Sequence, residues 1–155
     1  MICKFRVADL TNENDSINLI RLLNEFSLSI ENHELDVKIQ NTLVNNLIQT
    51  NIAVVYFAYI DGEIIGIAIC FYGFSTFKNK KLINIHDLYI MKQFQNRGIG
   101  SKFLQYIENE NKEICCKVTL EVYKTNINAL KTYEKNNYIG SSDKNYVIFS
   151  MYKNI

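Results

Sequence analysis

The chain has 155 residues, of which 48% are hydrophobic, and its formal net charge is +1. This length is enough to bury a core and too short for two ordinary domains, so we expect a single domain over residues 1–155. A net charge near zero without a basic run is not typical of a protein that binds nucleic acid. No segment approaches the length of a membrane span.

The four cysteines show no pattern of a metal centre or a disulfide framework. The spacing of Cys3, Cys70, Cys115 and Cys116 does not match a metal-ligand pattern, and the adjacent Cys115 and Cys116 would point to opposite faces of a strand. The N-terminus also lacks the long apolar stretch of a signal peptide. We therefore expect reduced thiols in a cytoplasmic protein without a metal ion.

Hydrophobic periodicity predicts strands that alternate with amphipathic helices. The predicted strands cover residues 3–8, 51–60, 64–74, 82–91 and 114–122, with two closing strands at Tyr138 and 146–151. The first predicted helix starts at a cap on Thr11 or Asn12, and further helices cover 35–48, 98–107 and 125–136. The order β-α-α-β-β-β-α-β-α-β-β predicts a mixed sheet flanked by helices, in the α/β (α+β) class.

Helical spacing predicts which residues of the first three helices face the core. In the first helix they are Leu19, Leu22, Leu23, Phe26 and Ile30. In the second helix they are Leu43, Val44, Leu47 and Ile48, and in the third Ile99, Phe103, Leu104 and Ile107. Each set lies on one side of its helix, as packing against a sheet requires.

The segment 82–107 joins a buried strand to an amphipathic helix through a polar turn that contains Gly98 and Gly100. The first turn of a helix has four N–H groups without intrahelical partners and a partial positive charge, so a pyrophosphate can bind there. Glycines at these positions lack the Cβ atoms that would keep phosphates away. The dinucleotide pattern is excluded because Phe103 stands where its third glycine would be, and no Gly-Lys-Ser/Thr of a Walker loop follows.

The spacing Gln95-x-x-Gly98-x-Gly100, between a strand with Asp87-Leu88-Tyr89 and a helix, resembles the acetyl-CoA loop of the GNAT N-acetyltransferase superfamily. The order of the elements is also the GNAT order, over nearly the whole chain. The resemblance implies a GNAT fold, with a mixed, mostly antiparallel central sheet of about seven strands flanked by four helices. Segments 74–77 and 86–91 are most similar to the diamine (spermidine/spermine) and thialysine acetyltransferases.

Membership of this superfamily implies acetyl-CoA as the co-substrate. Backbone groups of the central strand would pair with the pantetheine arm, and one N–H would face the thioester oxygen. Arg97 and Lys102 either add positive charge near the phosphates or are simply solvated. The resemblance assigns cofactor binding to residues of the strand and the loop: Leu88, Tyr89, Ile90, Gln95, Asn96, Arg97, Gly98, Ile99, Gly100, Ser101 and Lys102.

The acceptor amine needs a base, because an alkyl ammonium with a pKa of ~10 is almost wholly protonated at neutral pH. His86 and Asp87 are the candidates on the central strand. Neighbours on a regular strand face opposite sides, so only one should reach the cleft unless a bulge intervenes. The diamine branch has Glu at the position of His86, which is here either the base or a hydrogen-bonded core histidine. Asp87 matches the branch directly, as an amine contact or a helper to the base.

Asn126 and Tyr133 lie seven residues apart, on one face of the last predicted helix. This spacing resembles the family's Asn-x₆-Tyr segment, in which the Asn contacts the cofactor and the Tyr hydroxyl protonates the departing thiolate. For Asn126 the alternative is a helix N-cap, and both roles can coexist. For Tyr133 the alternative is packing in the core.

The resemblance implies a small primary amine as acceptor: a polyamine, a diamine or a lysine analogue. Glu25, Glu31, Glu34 and Asp36 lie around the connection of the first two helices, where they suit either a cationic amine or the N-terminus of the second helix. Two other functions are considered: acetylation of a protein lysine or N-terminal amine, and a non-catalytic acyl-CoA-binding module. Nucleic-acid and membrane partners are not expected, and a homodimer is expected by analogy with relatives.

Overall fold

The computed structural model describes residues 2–140 and 148–155. The described strands are β1 (Lys4–Val7), β2 (Ala53–Ile60), β3 (Glu63–Ser75), β4 (Lys80–Ile90), β5 (Cys115–Tyr123), β6 (Ile139–Gly140) and β7 (Ile148–Asn154). The α-helices are α1 (Glu13–Glu31), α2 (Val37–Thr50), α3 (Ile99–Asn111) and α4 (Ile127–Lys135), and Lys92–Phe94 forms a 3-10 turn. Tyr146 and Val147 of the predicted closing strand lie outside the described residues.

The seven strands form one mixed sheet in the order β1-β2-β3-β4-β5-β7-β6. Strands β4 and β5 are parallel, and every other neighbouring pair is antiparallel. The parallel pair needs a crossover, which the 3-10 turn and α3 provide. This mixed, mostly antiparallel sheet flanked by four helices confirms the predicted fold.

The helices cover both faces of the sheet. On β1, Phe5 stacks on Phe103 of α3 with ring centroids 5.1 Å apart, whereas the neighbouring Arg6 bonds Asp15 of α1. Because consecutive strand residues point to opposite faces, α1 and α3 lie on opposite sides. Helix α4 accompanies α3, since the Asn136 side chain next to the end of α4 donates to Ser101 Oγ on α3.

Two apolar residues predicted to face the core are exposed. Ile30, in the last turn of α1, is 55% exposed, and Ile48 of α2 is 41% exposed, whereas the neighbouring Leu47 is buried. Helical periodicity identifies the apolar side of a helix but not where the covering sheet ends. The inward positions predicted for Leu19 and Leu22 are confirmed by full burial.

The first helix is fastened to β1 by a buried carboxylate. Asn12 caps α1 by accepting a hydrogen bond from the Asp15 backbone N–H at 3.2 Å. The buried Asp15 carboxylate accepts two hydrogen bonds from Arg6, both at 2.6 Å, and a third from the Asp9 N–H at 2.8 Å. The hydrogen bonds from Arg6 hold the pKa of Asp15 below its ordinary value.

Replacing Asp15 with asparagine should lower the free energy of unfolding by about 2 kcal/mol at neutral pH, because charge-assisted hydrogen bonds are lost. The lowered folded-state pKa means that this contribution is complete above the unfolded-state pKa and disappears as the pH falls through the folded-state pKa. Urea denaturation at neutral and acidic pH measures both effects. Glu13→Gln, at an exposed position of the same helical turn, is the control. An equal loss at both pH values would contradict the account.

Candidate functional site

A gap opens in the middle of the sheet, between β4 and β5. Their pairing runs from Lys81 and Cys115 to Ile85 and Leu120, and stops there. Strand β4 continues to Ile90, while the rest of β5 remains paired with β7. The last part of β4 therefore has β3 on one side and an open edge on the other.

Backbone groups at Leu88 and Ile90 face this open edge. The Met91 N–H donates to the carbonyl of Ile65, next to β3, at 2.9 Å. Because backbone groups alternate between the two edges of a strand, Tyr89 also faces β3, and Leu88 and Ile90 face the gap. An extended arm with amide groups can pair with such an edge as an added strand does.

The loop with two glycines follows β4 and leads into α3. Asn96 and Gly98 have positive φ angles of 60° and 74°. Gly98 is the N-cap of α3 and has no side chain to accept a hydrogen bond from the first-turn amides. The exposed Asn96, Arg97 and Gly98 leave this end of the helix open to solvent, as an anion site requires.

Several loop side chains are engaged within the protein. Gln95 Nε2 donates to the Ile90 carbonyl at 2.7 Å, and Ser101 Oγ accepts from Asn136 at 2.9 Å. The Arg97 guanidinium lies over the Phe94 ring, 5.6 Å from its centroid. Lys102 is exposed, one helical turn after Gly98. Both cationic residues thus lie within one helical turn of the N-cap of α3, and their contact with a phosphate stays a prediction.

Tyr133 is a buried residue of α4, 8% exposed. Its ring packs on Tyr138 with centroids 5.9 Å apart, and burial raises the pKa of Tyr133 to about 12. The hydroxyl is therefore protonated over the whole neutral range and can act as a proton donor. Packing in the core and proton donation are both compatible with this position.

Asn126 is the N-cap of α4. Its side-chain oxygen accepts a hydrogen bond from the Ala129 N–H at 3.2 Å. The N-cap function considered from the sequence is therefore confirmed. The residue is exposed, so a further contact of its amide group with a cofactor remains a prediction.

A β-bulge on β4 brings His86 and Asp87 to the same region. Ile69 of β3 pairs with Asp87 and Cys70 pairs with Ile85, so His86 is the extra residue of the bulge. His86 Nδ1 lies 3.2 Å from Asp87 Oδ2. The imidazole packs edge to face on the Phe71 ring, and the two ring centroids are 5.6 Å apart. The His86 side chain is 65% exposed, so it is not a core histidine. Strand alternation alone would have separated the two side chains.

A cavity of about 670 Å³ lies between the end of α1, the start of α2 and Asp87. Its acidic lining residues are Glu31, Glu34, Asp36 and Asp87. Its apolar lining residues are Leu23, Phe26, Ile30, Leu35 and Ile39. The exposed Ile30 of α1 thus lines the cavity and is not part of the core. His33, which we did not single out in the sequence, also lines it and contacts Glu31 at 2.9 Å.

Two of the four carboxylates that the sequence places near the connection of α1 and α2 form hydrogen bonds within the protein. Asp36 caps α2 by accepting from the Lys38 N–H at 2.7 Å, which confirms the helix N-terminus function considered for it. Glu25 forms a hydrogen bond with Arg21 at 2.9 Å and does not line the cavity. Glu31 and Asp87 also have partners, His33 and His86, so Glu34 is the clearest candidate for contact with a cation among the described carboxylates of the cavity.

Three aromatic residues of β3, β4 and the turn between them do not line the cavity. Tyr89, predicted to bind the cofactor, turns its backbone groups towards β3 and stacks its ring on Phe26 at 5.4 Å. The Tyr89 ring thus packs against α1, and its contact with the cofactor stays a prediction. Phe74 and Phe77, at the β3–β4 hairpin, are exposed and do not line the cavity.

Among residues 2–140 and 148–155, no three His, Cys, Asp or Glu side chains come together as a metal-binding group. In the same part of the chain, no helix combines the length and the apolar character needed to cross a membrane.

Comparison with known proteins identifies the family of the chain. The model of the Acetyltransferase (GNAT) family matches residues 18–138. The chain therefore belongs to the GNAT family of acetyltransferases. An uncharacterized N-acetyltransferase from Archaeoglobus fulgidus is 36% identical over 81 residues, which cover 49% of this chain and 53% of that protein. The match thus spans about half the length of that relative.

Solved structures show the same fold over almost the whole chain. A possible acetyltransferase from Clostridium difficile 630 superposes with a TM-score of 0.77 and 22% identity, and the match covers 94% of this chain and 96% of that one. An aminoglycoside acetyltransferase from an uncultured soil metagenomic sample, in complex with sisomicin, gives a TM-score of 0.75 and 20% identity. That match covers 94% of this chain and 91% of the other.

Proposed function

We propose that the protein transfers the acetyl group of acetyl-CoA directly to a primary amine of a small molecule, most similar to a polyamine, a diamine or a lysine analogue. The observation that carries the proposal is the gap between β4 and β5, which lies directly before the open N-terminus of α3. A strand edge beside a helix end that can bind phosphates suits a long cofactor with amide groups at one end and a pyrophosphate at the other.

The residues present fit coenzyme A. Gly98 has no side chain to occupy the first-turn amides of α3, so these N–H groups are available for a pyrophosphate. Leu88 and Ile90 offer backbone groups to the pantetheine arm. When bound, acetyl-CoA supplies an activated acyl group as a thioester, and the protein contributes binding, orientation and proton transfer.

The attacking amine must be neutral, and the pair of His86 and Asp87 supports its deprotonation. If His86 Nδ1–H donates to Asp87 Oδ2, Nε2 of the imidazole remains unprotonated and can accept a proton from the ammonium. The amine nitrogen then forms a bond to the acyl carbon as the carbon–sulfur bond breaks. Direct transfer needs no cysteine, and the buried Cys70 has a pKa raised by desolvation, which disfavours a thiolate.

His86→Gln should lower kcat/KM for the amine about tenfold or more at neutral pH, because the base is lost. The Kd for CoA should remain unchanged, since His86 lies on the bulge and not on the loop before α3. Steady-state kinetics over a range of pH, with calorimetry for CoA, measures both quantities. Raising the pH should restore part of the activity, because more of the amine is then neutral. If this variant has the kinetics of the wild type, His86 is not the base, and a water chain or another group removes the proton.

Tyr133 is proposed as the donor that protonates the leaving thiolate. Its hydroxyl is protonated at neutral pH and can donate its proton to the sulfur as the carbon–sulfur bond breaks, and the phenolate is re-protonated by the proton that the acylated nitrogen loses. Asn126 at the start of the same helix is proposed to contact the cofactor. Two protons leave the nitrogen over the reaction: the first passes from the ammonium through His86 to solvent, and the second replaces the proton that Tyr133 gives to the sulfur, so that one proton is released in total.

The cavity next to Asp87 is the proposed acceptor site. Its carboxylates attract a cation, and its apolar walls accept an alkyl chain. Glu34→Gln should raise the KM for a diamine about threefold to tenfold, with a smaller effect on a monoamine, because the second ammonium loses an exposed partner. Glu113→Gln, which changes an exposed carboxylate away from the cavity, is the control. Equal effects of both variants would place the diamine elsewhere.

A thiol-release assay over a panel of amines tests the proposed function. Turnover with spermidine or thialysine supports it, whereas turnover only with peptides would indicate a protein lysine or N-terminal amine acetyltransferase. Cofactor binding without turnover would indicate a non-catalytic acyl-CoA-binding module. By analogy with relatives we also propose a cytoplasmic homodimer, which gel filtration with light scattering tests for its oligomeric state.

A further inference from the structure

One backbone carbonyl on the open edge of β4 already accepts a hydrogen bond from a side chain of the protein. Ile90 faces the gap, and its carbonyl accepts a hydrogen bond from Gln95 Nε2 at 2.7 Å. Three backbone groups therefore remain for an added strand: the N–H and carbonyl of Leu88 and the N–H of Ile90. The edge that is available to a ligand ends at Ile90.

We propose that Gln95 is a positioning residue that sets the register in which the pantetheine arm pairs with β4. This inference rests on the proposed function. The arm has two amide groups, and a free Ile90 carbonyl would give one of them an alternative partner further along the edge. The Gln95 side chain already donates to this carbonyl, so the arm forms its hydrogen bonds with the backbone groups of Leu88 and with the Ile90 N–H.

The consequence of a wrong register is large. Backbone groups that face the same edge recur every second residue, so a slip moves the arm by about 6–7 Å. A misplacement of only ~1 Å can lower a rate about 100-fold. Gln95 is well placed to prevent the slip because its own backbone lies in the loop before α3, where its N–H donates to the Lys92 carbonyl at 3.3 Å. One residue thus connects the end of the strand to the pyrophosphate loop.

Gln95→Met tests the proposal, because methionine has a similar length but no donor. We expect the single-turnover rate constant to fall about tenfold or more. The Kd for ADP, which has the pyrophosphate but no pantetheine arm, should stay within about threefold of the wild-type value. Gln95→Arg, which restores a donor, should recover most of the lost rate. Gln93→Met, an exposed neighbour in the 3-10 turn, should behave as wild type in both measurements.

Two results would overturn the proposal. Weaker ADP binding in Gln95→Met would show that Gln95 only supports the loop, and an unchanged single-turnover rate would show that the hydrogen bond does not set the register. Failure of the proposed function gives a different result, because the wild-type protein would then either not bind CoA or bind it without releasing thiol with any small amine. Thermal unfolding of each variant confirms that the comparison is made between folded proteins.

Discussion

Tyr133→Phe should lower kcat about 100-fold while leaving the Kd for CoA within about twofold. The phenylalanine ring can keep the contact with Tyr138, so only the hydroxyl is lost. Because burial raises the pKa of Tyr133 to about 12, the wild-type hydroxyl carries its proton at every pH at which the enzyme would be assayed. Single-turnover measurements avoid a rate that is limited by product release.

A matched control for this variant is Tyr138→Phe. Tyr138 is also buried, and desolvation together with the nearby Glu108 carboxylate raises the pKa of its hydroxyl. Removing this second hydroxyl should leave kcat unchanged, because Tyr138 lies beyond the end of α4 and is not the proposed proton donor. If both variants lose the same fraction of kcat, or if Tyr133→Phe keeps the wild-type rate, Tyr133 is not the proton donor.

Gly98→Val should weaken CoA binding at least tenfold, which corresponds to about 1.4 kcal/mol. The φ angle of Gly98 is +74°, a conformation that a β-branched residue strongly disfavours, so the first-turn amides of α3 would be displaced. A Cβ atom at this position would meet no atom of the protein within 4 Å. The side chain would therefore extend into the space in front of the helix end, where we place the pyrophosphate.

Gly62→Val separates backbone strain from the effect on the ligand. Gly62, in the turn between β2 and β3, has a φ of +88° and also has no atom within 4 Å of a built Cβ. Both variants should lose stability to a similar degree, but only Gly98→Val should lose CoA affinity. Calorimetry and thermal unfolding on the two proteins measure these quantities. Equal CoA affinity in the two variants would contradict the placement of the pyrophosphate.

The sequence was sufficient to predict the order of the elements and the loop before α3. Strand alternation, helical spacing and the pair Gly98 and Gly100 are local signals, and they depend on residues close in sequence. For the same reason the buried side of α3 was predictable, as was a cap at Thr11 or Asn12, of which the structure uses Asn12. The resemblance to the GNAT family then assigned the fold, which the structure and the family model confirm.

Features that depend on pairing between distant strands were not predictable. The bulge at His86 arises because β3 pairs with β4 in a register that skips one residue, and no local pattern marks it. The gap exists because β5 continues along β7 beyond Leu120 instead of along β4. Ile30 was placed in the core because periodicity cannot show that the sheet ends before the last turn of α1.

Calorimetric titration of CoA into the wild-type protein is the most direct test of whether a pyrophosphate binds at the start of α3. We expect saturable binding of one CoA per chain, with weaker binding as the salt concentration rises, because in the proposed complex the phosphates lie near Arg97, Lys102 and the N-terminus of α3. Absence of binding, or binding that Gly98→Val does not weaken, would contradict the proposal that a pyrophosphate binds at the start of α3.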